Sequence, residues 1–295
     1  MDKKTVVITG GSGFLMRNYL EDHAGQHEFI APRSNQVNWI TGQGVDSLPH
    51  RPDVFIHSAA IYGGLVFNQK YPEQILSANT MMNHNVMNYI LKAKPKKVIT
   101  IGSACAYPGG ARGELTENML GTGRMERTVE LYAQSKMWML AACERLLDDW
   151  TQLVLANLYG PYDHDDMDKA HVVSALIYKF IAAQARQQPV QLLGTGVALR
   201  SLLYVKDAAD VIAYFIDNPS PNAAVNVGHG QGVSILELAN TIAEVLDFNQ
   251  EILWGNPSDN GALVKILNYA KLDSIYPTRR KTDLRTGLKS TINAI

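Results

Sequence analysis

Tyr132 and Lys136 stand four residues apart, so on a helix they share one face. A free phenol ionises near pH ~10, too high for acid–base work at neutrality, and a neighbouring ammonium is expected to lower it. Upstream, the apolar run Lys97-Val98-Ile99-Thr100-Ile101 closes on Gly102-Ser103-Ala104-Cys105. A hydroxyl such as Ser103, placed beside the phenol, would hold a carbonyl oxygen while Tyr132 exchanges a proton with it. Tyr-x-x-x-Lys also occurs by chance on amphipathic helices, so its meaning depends on the elements that carry it.

Those elements begin with Thr5-Val6-Val7-Ile8-Thr9, a buried-strand signal, followed by Gly10-Gly11-Ser12-Gly13 and a helical stretch from Phe14 to Leu20. Strand, glycine turn and helix together suit a pyrophosphate at a helix N-terminus, with Gly10, Gly13, Phe14 and Leu15 beside a dinucleotide. The same residues fit an ordinary glycine-rich turn. Met16 takes the third glycine position, which normally serves helix–strand packing, so altered packing is expected there. The second strand, from His27 to Ala31, ends in Pro32-Arg33-Ser34 with no carboxylate for a ribose 2′-hydroxyl. Arg33 and Ser34 suit a 2′-phosphate, which favours NADP(H); a plain surface arginine is the alternative.

A third strand, Asp53 to His57, runs into Ser58-Ala59-Ala60, where the small Ala59 and Ala60 let a cofactor lie close to the backbone. Ile61 to Leu65 reads as a loop open toward substrate. Ile75, Asn79, Met82, Val86 and Ile90 define a helix from Pro72 to Lys94, ended by Pro95. Asn79 interrupts the apolar stripe and either bonds a backbone group inside or points outward. Residues 109–122, rich in glycine, read as an active-site loop, and Val129 to Trp150 as the helix bearing Tyr132 and Lys136. Leu153 to Ala156 makes a fifth strand. Strand and helix alternating in this way imply a doubly wound parallel sheet of Rossmann type in an α/β fold. Its strand ends would line one crevice.

Beyond Pro161 the pattern changes to short strands and helices. Asp207 to Asp217 and Ile235 to Leu246 read as helices, the second capped by Ser234. The acidic run Tyr162 to Asp168 lacks a regular ligand spacing, so no metal is expected. Domain limits follow: a cofactor domain over 1–160 plus about 197–226, and a smaller mixed substrate region over about 161–196 and 227–295. No hinge composition separates them, so a shared core is expected.

With 295 residues, 46% apolar and 19% charged, the chain describes a globular protein with a sizeable core. A net charge of −1 without like-charge runs excludes a nucleic-acid footprint, and Arg279-Arg280-Lys281 reads as solvated surface. Two cysteines, Cys105 and Cys143, do not make a disulfide framework. With no signal-peptide core and no membrane span, a cytoplasmic location is expected.

Several motifs then narrow the reading. Ala59-Ala60-x-x-Gly63-Gly64 followed by Tyr71-Pro72, Gly102 to Pro108, Asn157-Leu158-Tyr159-Gly160-Pro161, Ala170-His171-Val172-Val173 and Leu193-Gly194-Thr195-Gly196…Arg200 resemble the fucose-synthase group of extended short-chain dehydrogenase/reductases. These belong to the NAD-dependent epimerase/dehydratase family. The resemblance runs from about Val6 to Leu272. It implies NADPH-dependent epimerisation and reduction of a nucleotide-linked 4-keto-6-deoxysugar, the nucleotide being GDP. It further implies Ser103, Tyr132 and Lys136 as the reduction set and Cys105 with His171 as the epimerisation pair. Asn157 and Leu158 would lie at the cofactor, and Gly63, Gly64, Asn157, Lys179, Arg200 and Lys265 at the substrate. The chemistry agrees: a 4-keto group acidifies C3–H and C5–H, and inversion needs a proton acceptor and a donor on opposite faces. Taken alone, Cys105 reads as a small buried hydrophobe and His171 as a helix-start histidine. Single-activity variants and a non-catalytic NADP(H) sensor are the rival readings. The group commonly pairs the helices at 72–94 and 129–150 in a homodimer. Val264 and Asn268 stand where that group carries arginine and aspartate, which bears on the diphosphate grip.

Overall fold

The computed structural model describes residues 2–111, 113–163 and 170–295. In chain order the elements are β1 (Thr5–Thr9), α1 (Phe14–Asp22), β2 (Glu28–Ile30), β3 (Val54–His57), α2 (Leu65–Lys70), α3 (Pro72–Ala93), β4 (Lys97–Ser103) and β5 (Glu114–Leu115). Next come α4 (Glu130–Leu146), β6 (Trp150–Leu155), β7 (Asn157–Tyr159), α5 (Val172–Arg186), β8 (Val190–Leu192), β9 (Leu199–Arg200) and β10 (Leu202–Tyr204). The last are α6 (Val205–Asp217), β11 (Ala223–Val227), β12 (Val233–Ser234), α7 (Ile235–Val245), β13 (Ile252–Trp254), β14 (Val264–Leu267), α8 (Ala270–Ile275) and α9 (Leu284–Ile292).

Six strands form one parallel sheet in the order β2–β1–β3–β4–β6–β11. Val6, Val7, Ile8, Phe55, Ile56, Ile99, Leu153 and Val154 are buried because both faces are covered, α1 packing with α6 and α3 with α4. The chain steps outward from β1 to β2 and returns past β1 to β3, so the order reverses between β1 and β3. That reversal opens a crevice at the strands' C-terminal ends.

The connection from β2 to β3 carries no α-helix. Residues 31–53, between β2 and β3, carry only a 3₁₀ turn at Val45–Ser47. Val37, Trp39 and Leu48 instead plug this edge, the Trp39 ring meeting Phe55 and Tyr89 edge-on. α3 begins at Pro72, where the missing N–H costs no helix bond, and ends at Lys94 in the left-handed region before Pro95. Asn79 points inward: its Nδ2 donates to the Ile75 and Ile61 carbonyls while its Oδ1 accepts from the Ile61 N–H. It therefore pins the loop after β3 to α3. Of the expected loop at 61–65 only residues 61–64 remain, because α2 starts at Leu65.

The C-terminal part has a core of its own around Val173, Ile177, Phe180, Leu238, Ile242 and Leu288, all fully buried. Leu267, Tyr269 and Leu272 return to the larger core, while Tyr159 on β7 and Leu202 and Tyr204 on β10 enter the smaller one, so the two cores exchange residues in both directions. The Ser234 hydroxyl caps α7 by accepting from the Glu237 N–H at 3.0 Å. β14 lies parallel to both β5 and β9, so part of the segment expected to be a loop, 109–122, is a sheet edge. The cluster at 279–281 is not simply surface. Arg279 is buried, donating to Asp273 and to the Gly228 carbonyl, and Arg280 pairs with the buried Asp207. Buried acceptors at the end of β11 and the start of α6 need donors, and this segment supplies them. Among the described residues no helix is long and apolar enough to cross a membrane.

Candidate active site

At the end of β1, Gly10 takes φ +71°, and a Cβ there would stand 2.9 Å from the Ala59 backbone. Only glycine lets the two loops touch across the crevice. The Gly13 N–H closes the turn on the Gly10 carbonyl at 2.9 Å, and α1 starts with no side chain capping it. Its first N–H groups, at Phe14 and Leu15, are thus available to an anion. Met16 is fully buried and takes the place of the third glycine as a core side chain. Arg33 and Ser34 are exposed at the end of β2, and among the described residues the Arg33 guanidinium forms no ion pair. Ala59, whose backbone Gly10 approaches, and Ala60 are half-buried after β3, as are Asn157 and Leu158 on β7. A glycine cradle, an uncapped helix and a free cation at the second strand fit a dinucleotide carrying a 2′-phosphate.

β4 delivers the chemistry. Its last residue, Ser103, caps the turn Ala104–Ala106 by accepting the Cys105 N–H at 3.2 Å. One hydroxyl thereby orients the thiol-bearing residue and keeps its own proton free to donate. The turn is held from below: the buried Tyr107 hydroxyl donates to Asn226 at 2.7 Å, and the Asn226 amide donates to the Leu115 and Asn268 carbonyls.

In the first turn of α4, Tyr132 faces Ser103, with the Lys136 ammonium 5.5 Å from its ring centre. The expected lowering of the phenol by this ammonium is not what the site produces. Burial dominates and, with Tyr62 and Cys105 nearby, holds the Tyr132 phenol well above its ordinary range; the Ser103 hydroxyl pulls the other way. Burial also pushes the Lys136 ammonium down to about 8. Tyr132 is therefore a proton donor as it stands, and Lys136 a cation that titrates near neutrality.

His171 occupies the N-cap position of α5, and its Nδ1 meets Asp163 at 2.9 Å. The Asp163 carboxylate is 2% exposed and also accepts from the Ser174 hydroxyl at 2.5 Å. With Nδ1 committed to a carboxylate, Nε2 is the nitrogen left to exchange protons. Between the two stations lies a residue that the sequence placed in a substrate-facing loop without a role of its own. The Tyr62 ring stacks on Tyr132 at 5.3 Å and lies 5.5 Å from His171. Its phenol is held well above the ordinary range by burial, by Asp163 and by Cys105. Tyr132, His171 and Cys105 are thus brought around one ring, with Ser103 and Lys136 against Tyr132.

The substrate-side candidates are more scattered. The Gly63 and Gly64 carbonyls accept from the Asn68 amide at 2.6 and 2.8 Å, which shapes the start of α2 beside Tyr62. Arg200 and Lys265 face each other as register partners on β9 and β14. The Arg200 guanidinium is partly spent on the Leu199 and Ala262 carbonyls, at 2.8 and 2.7 Å. Lys179 lies half-buried on α5. Val264 is exposed, and Asn268 donates to Glu114 at 2.6 Å, a strand-edge link. Residues 164–169 of the acidic run lie outside the described residues.

Residues 6–228 match the family model described as the NAD dependent epimerase/dehydratase family. The chain belongs to that family. Within it, the chain is 30% identical over 296 residues to GDP-L-colitose synthase of Yersinia pseudotuberculosis, covering 97% of this chain and 96% of that one. It is 34% identical over 246 residues to GDP-L-fucose synthase 1 of Arabidopsis thaliana, covering 82% and 76%. A GDP-L-fucose synthetase of Naegleria fowleri, solved bound to NADP, matches with a TM-score of 0.89 over 100% of this chain and 94% of that one, at 22% identity. At that identity the likeness concerns the fold, which is the Rossmann-type fold of this family. Tyr62 and Asp163 carried no spacing signal; only the closure of the crevice brings them to the site.

Proposed function

We propose that this family member is an NADP(H)-dependent epimerase/reductase acting on a GDP-linked 4-keto-6-deoxysugar, exchanging protons at C3 and C5 and reducing C4. One observation carries the reading. The donor phenol Tyr132 and the carboxylate-oriented His171 flank the same Tyr62 ring, with Cys105 beside both phenols, so carbonyl and carbon-acid chemistry share a pocket. The names of the GDP-sugar synthases it resembles agree with this substrate class.

The geometry supports the following roles. Ser103 and Tyr132 hold the C4 oxygen and stabilise the enolate formed when a ring C–H is removed. Cys105 and His171 Nε2 act as the proton acceptor and donor on opposite ring faces, Asp163 holding the imidazole. A dinucleotide held by its pyrophosphate at the glycine cradle would supply the hydride for C4 from its reduced nicotinamide. Tyr132 then gives its proton to the new alkoxide, and Lys136 supplies positive charge beside it. Arg33 and Ser34 are assigned to the 2′-phosphate. The side chains of Lys179 and Lys265, with what remains free of Arg200, are assigned to the diphosphate. The six-stranded part thus takes the cofactor and the smaller part the nucleotide sugar.

The same reading includes a homodimer through α3 and α4, where Met81, Leu91, Trp138 and Leu146 leave apolar surface uncovered. The functional test follows NADPH absorbance with GDP-4-keto-6-deoxysugars in deuterated water. Oxidation with deuterium at C3 or C5 is expected. Oxidation without ring deuterium leaves a plain ketoreductase, and tight NADPH binding without turnover points to a sensor.

A further inference from the structure

Behind Lys136 runs a fully buried chain of hydrogen bonds that the mechanism above does not use. The Thr9 hydroxyl oxygen accepts the Ser58 and Ala59 N–H groups at 3.1 and 3.0 Å and lies 2.9 Å from His57 Nδ1. Both lone pairs of that oxygen are taken, so its proton must point at Nδ1. Nδ1 is therefore the unprotonated nitrogen and Nε2 carries the hydrogen. Nε2 stands 3.1 Å from Asn83 Oδ1, and the Asn83 amide then donates to the Ser135 carbonyl at 2.8 Å. Each group has one role, and no alternative tautomer or amide flip satisfies the chain.

The far end of this chain is the catalytic helix. A carbonyl inside a helix has a second lone pair beyond its i+4 bond, and here Asn83 takes the one at Ser135. The next carbonyl, that of Lys136, accepts from the buried Gln152 amide at 3.3 Å, and the Ser135 hydroxyl donates to the Tyr132 carbonyl at 2.7 Å. Two buried amides thus grip α4 at adjacent residues, one of them relayed from the strand that opens the cofactor crevice.

We propose that His57, acting through Asn83, is a positioning residue: the Thr9–His57–Asn83–Ser135 chain sets the height and rotation of α4, and so the placement of Lys136 and Tyr132 against the crevice. The inference rests on the catalytic reading of Tyr132 and Lys136. The imidazole suits the part because burial and the neighbouring Lys136 push it down to about 3, so it stays neutral and keeps its tautomer throughout the working range.

The test compares Asn83→Leu, His57→Leu and His57→Gln, the last keeping an amide donor for Asn83. With NADPH and a GDP-linked 4-keto-6-deoxyhexose, the leucine variants are expected to lose kcat about tenfold to a hundredfold while the NADPH Kd moves less than about threefold. His57→Gln should recover most of the rate, and the double leucine variant should be no slower than either single one, because the chain acts as a unit. A folded Asn83→Leu with wild-type kcat, or additive losses, overturns the proposal. Two readouts are independent of turnover and decide the matter even if no 4-keto sugar reacts. In wild-type protein, ¹⁵N NMR should find His57 neutral and protonated at Nε2 from about pH 5 to 9. The Lys136 ammonium should titrate at a shifted pH in Asn83→Leu. An Nδ1–H tautomer, or an unmoved Lys136 titration in that variant, sinks the relay.

Discussion

The Tyr62 ring lies on the Tyr132 ring with centroids 5.3 Å apart and planes 26° from parallel, and its centroid is 5.5 Å from that of His171. A sugar that reaches both chemical stations must therefore lie against Tyr62. Tyr62→Phe keeps the stack and should hold kcat/KM within about threefold, whereas Tyr62→Ala should lower it about tenfold to a hundredfold, mostly through KM. Steady-state kinetics checks this; equal rates for wild type and Tyr62→Ala would remove Tyr62 from the substrate wall.

Tyr132→Phe removes the donor O–H. Ketone reduction should fall by about 10²–10⁴ while NADPH binds nearly as before, a comparison of single-turnover rates and fluorescence titrations. A wild-type rate would take Tyr132 out of the proton transfer.

Lys136 makes a prediction about stability. In the folded protein its ammonium is 5% exposed and pushed from 10.5 down to about 8. Below about pH 8 both states hold the proton, and the folded state carries the whole cost of the buried charge, on the order of 3 kcal/mol. Between about pH 8 and 10.5 the unfolded chain binds more protons, so stability rises with pH across that window. Urea unfolding of cofactor-free Lys136→Met should show a more stable protein at pH 7 and a loss of this rise. Parallel pH profiles would refute it.

Proton exchange should separate from hydride transfer at the other station. Cys105→Ser and His171→Gln should each slow C3/C5 deuterium uptake more than NADPH oxidation. Asp163→Asn, which removes the carboxylate holding Nδ1 at 2.9 Å, should slow uptake about tenfold or more. Equal loss of both reactions would mean that these groups only position the sugar.

Arg33→Ala should weaken NADPH binding about tenfold or more and leave NADH untouched, since a charge-assisted bond to the 2′-phosphate is what is lost. Calorimetry with both cofactors reads the difference, and equal weakening would return Arg33 to the surface.

If the proposed homodimer forms through α4, replacing Trp138, 46% exposed there, by aspartate should convert it to a monomer in sedimentation measurements. A wild-type chain that already sediments as a monomer would dispose of that interface.

Much of this architecture was legible in the residues. The apolar runs at Val6–Ile8, Val54–Ile56 and Val98–Ile101 state a buried parallel sheet, because only strands covered on both faces read so continuously. Helix limits at Pro72, Pro95 and Ser234 follow from backbone chemistry, as does the glycine turn between β1 and α1. Asn79 could be expected to turn inward because a lone amide on an apolar stripe needs backbone partners. Less was legible where a pattern has no period. Residues 31–53 fill a sheet edge without a helix, and β14 joins β5 and β9 from far along the chain.

The residue types by themselves determined the family, the strand ends that carry chemistry, and the four-residue spacing of Tyr132 and Lys136. Tertiary structure alone decided their company and their charge. Tyr62 reaches Tyr132 and His171, His57 reaches Asn83, and Arg279 reaches Gly228 through packing of segments distant in the chain. The ionisation of the pair ran against the local expectation for the same reason. An ammonium one helical turn away favours the phenolate, but that attraction is set against the cost of taking both groups out of water, and burial is fixed only when the sheet, α3 and α4 close around them.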